Sequence, residues 1–212
     1  MIDIVFPHKN EKRFVETALK LGFDKIAFVY NDIKDVKGIQ SKDIDIFYGI
    51  LSNNSNKINK VKNKVDFIIS DSNNKQLFRK IDLIFNLENQ TNRDFMHQRN
   101  SGLNHVLAKE LKQRTGLLGL SFNLILNSKN KIAIIGRIAQ NIRLCQKYKV
   151  GMIIGSFAQN PEEMRGPEDL IAFFNLLGLN NGKKAITNLH RKIKQNHFKN
   201  SDKYVTEGVY IE

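Results

Sequence analysis

Short runs of Ile, Leu, Val and Phe alternate along this chain with longer stretches in which apolar residues return every third or fourth position. The short runs predict strands over Ile2 to Phe6, Ile26 to Tyr30, Ile44 to Ser52, Phe67 to Ser70, Leu83 to Leu87, Leu117 to Phe122 and Met152 to Phe157. The longer period predicts helices over Glu11 to Leu21, Gln76 to Lys80, Gly102 to Thr115, Lys131 to Lys149 and Asp169 to Leu177. Strands alternating with helices imply a parallel sheet with crossover helices outside it. About seven strands in so short a chain favour an α/β fold of the (β/α) TIM-like barrel type over an open doubly wound sheet, which stays as the alternative. Gly22, Gly116 and Gly178 follow three of the helical stretches as C-terminal stops, and Pro167 before Glu168 and Asp169 marks a helix start. Asn53 to Lys64 is Asn- and Lys-rich, with Ile58 and Val61 its only large apolar residues, and reads as a short polar helix or a solvated loop. No composition break divides the chain, so one barrel domain is expected over 1–200. The alternating Tyr204 to Glu212 then reads as a short strand in a C-terminal extension over 201–212.

Charge narrows the function. Lys and Arg number 34 against 21 Asp and Glu, a formal charge of +13, which suits a polyanionic partner. The longest apolar runs fall far short of a membrane span, and Met1-Ile2-Asp3 lacks the layout of a secretion signal, so a cytoplasmic protein without membrane contact is expected. The excess is local. From Lys109 to Lys149 nine cations, among them Arg137, face the single acid Glu110, and from Lys183 to Lys199 six cations face none. Helical spacing puts His105, Lys109 and Lys112 on one stripe opposite Leu103, Leu107 and Leu111. Gln140, Arg143 and Lys147 likewise oppose Ile135, Ile138, Ile142 and Cys145. Any exposed helix carries some Lys and Arg, but two adjacent helices with almost no balancing acid match a phosphate backbone.

Catalytic chemistry is sparse. There is no Walker-type phosphate loop and no Gly-x-Gly-x-x-Gly after a strand. His8, His97, His105, His190 and His197 lack metal-ligand spacing, and Cys145 falls on an apolar helix face as a small buried hydrophobe. No metal and no other cofactor is expected on the protein.

Four ordered segments carry a resemblance. They are Arg99-Asn100-Ser101-Gly102-Leu103-Asn104-His105-Val106-Leu107-Ala108-Lys109, Leu118-Gly119-Leu120-Ser121-Phe122, Asn141-Ile142-Arg143-Leu144-Cys145-Gln146-Lys147-Tyr148-Lys149-Val150, and Ser156-Phe157-Ala158 with Glu163-Met164-Arg165-Gly166-Pro167-Glu168-Asp169-Leu170-Ile171. Together they resemble the family of archaeal ribonuclease P protein component 3, whose eukaryotic counterpart is the thirty-kilodalton subunit. The likeness is strong from Arg99 to Leu179, extends over Met1 to Tyr30 and is weak from Asn31 to Asn92.

The resemblance implies a barrel related to the polymerase and histidinol phosphatase (PHP) superfamily but without its chemistry, because the first strand ends on a lone His8 where that superfamily has a His-x-His pair. It implies a subunit of ribonuclease P that binds and helps fold the catalytic RNA and supports 5′-leader removal from precursor tRNA. The Mg2+ ions would sit at the RNA, and the chain would pair with protein component 2 in a two-plus-two assembly. Carried onto the matching segments, Arg99, His105, Lys109, Arg114, Arg143, Lys147 and Arg165 are the expected RNA-binding residues. Arg165 leads, with an ion pair to Glu163 or Glu168 as its structural alternative. A PHP-type metal-dependent phosphoesterase and a barrel enzyme with an unrecognised pocket are the competing functions.

Overall fold

The computed structural model describes residues 1–36, 38–90 and 93–200, together with the backbone of Tyr204–Thr206 and Val209–Tyr210. Seven parallel strands, β1 (Ile2–Val5), β2 (Lys25–Tyr30), β3 (Asp45–Leu51), β4 (Phe67–Ser70), β5 (Leu83–Phe85), β6 (Leu117–Ser121) and β7 (Gly151–Gly155), pair in chain order. All seven fall on the expected runs, with ends that differ by up to two residues. The sheet curls into a nearly closed barrel. Val5 bridges to Ala158 just past β7, and the Phe6 amide donates to the Ala158 carbonyl at 2.8 Å. The buried Asp3 staples the same seam, accepting from the Ser156 amide at 2.7 Å and its hydroxyl at 2.5 Å. The buried Asp3 carboxyl is raised to about 6, since desolvation outweighs the bonds that favour its charged form.

Residues of alternate position fill the barrel: Ile2, Ile4, Val29, Phe67, Leu83 and Ile153 form one interior cluster, while a second, larger cluster lies between the sheet and its helices. The interior is tight. A β-carbon added at Gly49 would lie 2.4 Å from the Phe67 ring, so the small residue makes room for the large one.

Outside the sheet lie α1 (Glu11–Lys20), α2 (Ser55–Val61), α3 (His105–Gln113), α4 (Phe122–Asn127), α5 (Lys131–Tyr148), α6 (Pro167–Leu176), α7 (Gly182–Ala185) and α8 (Asn188–Lys199). The polar segment after β3 is thus a helix, with the Asn54 side chain capping it by accepting from the Asn56 and Lys57 amides. Gln76 to Lys80 is not a helix. It is a run of turns whose Leu77 and Phe78 are buried, closed chiefly by bonds three residues apart. Gly22 (φ 86°) and Gly178 (φ 98°) end helices in the left-handed region as expected. After α3 that conformation falls to Thr115 (φ 52°) instead, while Gly116 fits closely against Leu111.

The basic run from Lys183 to Lys199 builds α7 and α8, and α8 closes the N-terminal end of the barrel. Leu189 and Ile193 enter the interior cluster. Around them the Asn188 amide donates to the Met152 carbonyl (2.8 Å), His197 meets Asp66 (2.6 Å) and Lys192 sits 3.7 Å from Asp82. Part of that charge is therefore structural. In the 201–212 region Tyr204–Thr206 and Val209–Tyr210 pair as antiparallel strands, and the rest of the expected extension lies outside the described residues.

Candidate nucleic-acid interface

Both helices of the expected cationic face are capped by asparagines: the Asn104 side chain accepts from the Leu107 amide (2.9 Å) at α3, and Asn130 from the Ala133 amide (3.1 Å) at α5. Helix α3 buries Leu107, Ala108 and Leu111 and exposes His105, Lys109 and Lys112. Helix α5 buries Ile134, Ile138, Ile142 and Cys145 and exposes Arg143 and Lys147, with Ile135 half-buried. The helices pack together, and their cations converge on one aromatic ring. Lys109 Nζ lies 5.9 Å and Lys147 Nζ 5.7 Å from the centroid of Tyr148.

The other expected residues are more dispersed. Arg114 pairs with Glu110 at 3.4 Å within α3. Arg99 pairs with Asp94 at 3.4 Å, and its guanidinium lies so close over Gly136 that a β-carbon there would be 2.4 Å from Cζ. Arg165 is half-buried. It donates to the Met164 carbonyl (2.7 Å) and the Glu162 carbonyl (3.0 Å), with its guanidinium 5.5 Å from the Phe122 ring centroid. Its contacts are main-chain and aromatic, and the ion pair with Glu163 or Glu168 that was its structural alternative is not among them.

Arg137 does not belong to the surface at all. It is 3% exposed, with Nε donating to Asp94 (2.7 Å) and Nη1 to the Glu88 carbonyl (2.9 Å). Beside it Asn141 Nδ2 donates to Glu88 Oε1 (2.7 Å) and to the Ser101 carbonyl (3.0 Å), while Gln140 reaches the Ser101 hydroxyl (3.1 Å). Burial raises the Glu88 carboxyl to about 7, opposed by the Asn141 bond. This polar knot ties the segment leading into α3 onto α5 and so fixes the two cationic helices relative to each other. One signal for it existed in the chain: Asn141 falls on the apolar stripe of Ile134, Ile138 and Cys145, where a buried amide needs partners.

The C-terminal mouth of the barrel, where this fold places its functional groups, is a cavity of about 640 Å³. Its floor is aromatic. Phe85 stacks on Phe157 at 5.3 Å and on Phe6 at 5.6 Å between ring centroids. Asparagines dominate its walls, with His8 and Lys129 also lining it. Most of these residues follow closely on the strands, a positional signal that residue type alone does not carry. Among the described residues no group of three or more His, Cys, Asp or Glu is placed to hold a metal ion.

Comparison with known proteins gives this geometry a context. A family model described as RNase P subunit p30 matches residues 2–200. The chain is 25% identical over 169 residues to ribonuclease P protein component 3 of Methanococcus vannielii, which covers 77% of this chain and 66% of that protein. The chain thus spans just under two thirds of that relative, and 48% of a second relative bearing the same description. In fold it matches a chain of archaeal ribonuclease P solved by cryo-EM with mature tRNA, with a TM-score of 0.75, 22% identity and coverage of 100% of this chain and 97% of that one. A histidinol phosphate phosphatase from Lactococcus lactis, solved with zinc, histidinol and phosphate, matches at a TM-score of 0.57 and 10% identity over 89% of this chain and 93% of that one. The fold is therefore a parallel (β/α) barrel shared with both structures. Its mouth does not fit that protein's zinc: His8 and Asp71 are the imidazole and the carboxylate in its lining, and no third such donor is grouped with them among the described residues.

Proposed function

The chain belongs to the RNase P subunit p30 family, and from that membership we propose that it is a protein subunit of ribonuclease P, acting in the cytoplasm on the catalytic RNA. In this reading it binds and helps fold that RNA, supports 5′-leader removal from precursor tRNA, and pairs with protein component 2 as a two-plus-two assembly. Mg2+ belongs to the RNA, and the isolated chain carries no catalytic site or cofactor. One observation carries the RNA-binding part. Lys109 and Lys147, from different helices, meet at Tyr148 on a stretch of nine cations and one acid. Even with Arg137 withdrawn into the interior, that face has the charge density to follow a phosphate backbone without reading bases. His105, Arg143 and Lys112 extend it, while Arg99, Arg114 and Arg165 would contribute from its flanks.

The phosphoesterase alternative has little support, since the lining of the mouth holds one imidazole, His8, and one carboxylate, Asp71, with no third donor grouped with them among the described residues and no second carboxylate in the lining for acid and base work. The test is salt-dependent binding of ribonuclease P RNA by a Lys109→Ala/Lys147→Ala variant. The slope of log affinity against log salt should flatten by roughly one per lost contact, about equally across RNA sequences. An unchanged slope would contradict the assignment of this face.

A further inference from the structure

The barrel mouth has the chemistry of a base-recognition site. Its volume of about 640 Å³ lies within the range of roughly 300–1,000 Å³ typical of small-ligand sites. Its floor is a column of three rings, Phe157, Phe85 and Phe6, inclined by only 12° and 20° to one another. The two inner rings are buried, and Phe6, at the end of the column, is half-buried. A flat π-system stacked there would continue the column, whereas an aliphatic acid would leave it unused.

The walls divide into amides that are occupied and amides that are not. Asn123 donates to the Phe157 carbonyl (3.2 Å), Asn127 donates to Asn123 (2.6 Å), and Asn130 caps α5. The side chains of Asn31 and Asn89 are exposed and make no hydrogen bond among the described residues. Asn86 has a buried Oδ1 without a donor, on a backbone held at φ 55°, a region that residues other than glycine seldom occupy. A strained backbone together with an unmet polar atom is the kind of local cost that persists at binding sites. Free amides offer a donor and an acceptor side by side, the pattern that pairs with a base edge. Lys129, exposed on the same wall, supplies a cation for the attached phosphate.

We infer that this mouth receives one unstacked nucleobase of an RNA strand. The inference rests on the RNA-binding reading but uses a different surface. The wall at Asn130 and the cations near Lys147 lie at opposite ends of α5, about 25 Å apart along the helix, so one strand following α5 could engage both.

Single-stranded RNA 12-mers carrying one 2-aminopurine, placed at each position in turn, provide the probe, with an unlabelled hairpin duplex as the companion ligand. With the full chain at saturation, the fluorescence at one internal position should change far more than at the others. Asn31→Asp/Asn89→Asp should remove that change and weaken single-strand binding tenfold or more, leaving hairpin affinity intact. Both positions are exposed, so the fold should tolerate them. Lys109→Ala/Lys147→Ala should do the reverse, weakening the hairpin while the 2-aminopurine change returns at saturation. Hairpin binding with no position-dependent signal, or a signal that survives Asn31→Asp/Asn89→Asp, overturns the base pocket alone. Failure of either RNA to bind overturns the RNA-binding reading with it. A signal abolished by micromolar AMP assigns the mouth to a free nucleotide and overturns RNA as its occupant.

Discussion

Glu88 holds together the two segments that carry the cationic face, and it does so as a buried carboxyl raised to about 7. From the ordinary glutamate value of 4.5 up to about 7, the folded state keeps a proton that the unfolded chain has lost. Folding stability contributed at this site is therefore greatest below the unfolded value and falls as pH rises through that window. Urea unfolding at pH 5 and pH 8 should show a larger loss across this range for the natural chain than for Glu88→Gln. The variant keeps an acceptor for Asn141 but has no charge to bury, and equal pH dependence in the two proteins would contradict the raised carboxyl. Arg165 makes a second test at this scale. Its main-chain and ring contacts predict that Arg165→Ala costs about 1 kcal/mol, read by thermal melting, together with weaker RNA binding. Loss of several kcal/mol with an unaltered salt slope would make its role structural. The exposed cations were legible in the chain from spacing alone. The burial of Arg137 was not, because its partners Glu88 and Asp94 are more than forty residues away and helical period alone cannot bring them near.

At the scale of elements, the seven strands were readable because each is a short run of Ile, Leu, Val or Phe between polar segments. Three helices, α4, the four-residue α7 and α8, were not. Helix α4 continues the apolar run of β6, so its first residue Phe122 reads as the end of a strand from Leu117, whereas Ser121 turns the chain there by accepting from the Leu124 amide at 3.1 Å. Helix α8 has a thin apolar stripe, Leu189 and Ile193, within a polar sequence, and its role as the barrel's floor depends on meeting interior residues from distant strands. Ile193, 1% exposed, is therefore a core residue in a segment that looks like a solvated tail. Ile193→Ala should destabilise the protein by about 2–5 kcal/mol, and a loss under 0.5 kcal/mol in urea unfolding would mean that α8 does not close the barrel.

For the molecule as a whole, a parallel (β/α) barrel carries a mouth in which phenylalanines and asparagines predominate, and its positive charge gathers on α3 and α5. The fold class and the resemblance were both available from the chain, since strand order and four ordered motifs are local properties. The mouth was not, because it is assembled from single residues after separate strands, and its His8 and Asp71 lie too far apart in the chain to form a motif. The central claim is that this protein supports RNA-based cleavage without performing it. The direct measurement is 5′-leader removal from precursor tRNA in Mg2+ buffer by the chain alone, by ribonuclease P RNA with the other protein subunits, and by the complete mixture. The account predicts no cleavage by the chain alone and a rate in the complete mixture well above that of the mixture lacking it. Cleavage by the nuclease-free chain alone, or a rate indifferent to its presence, would contradict it.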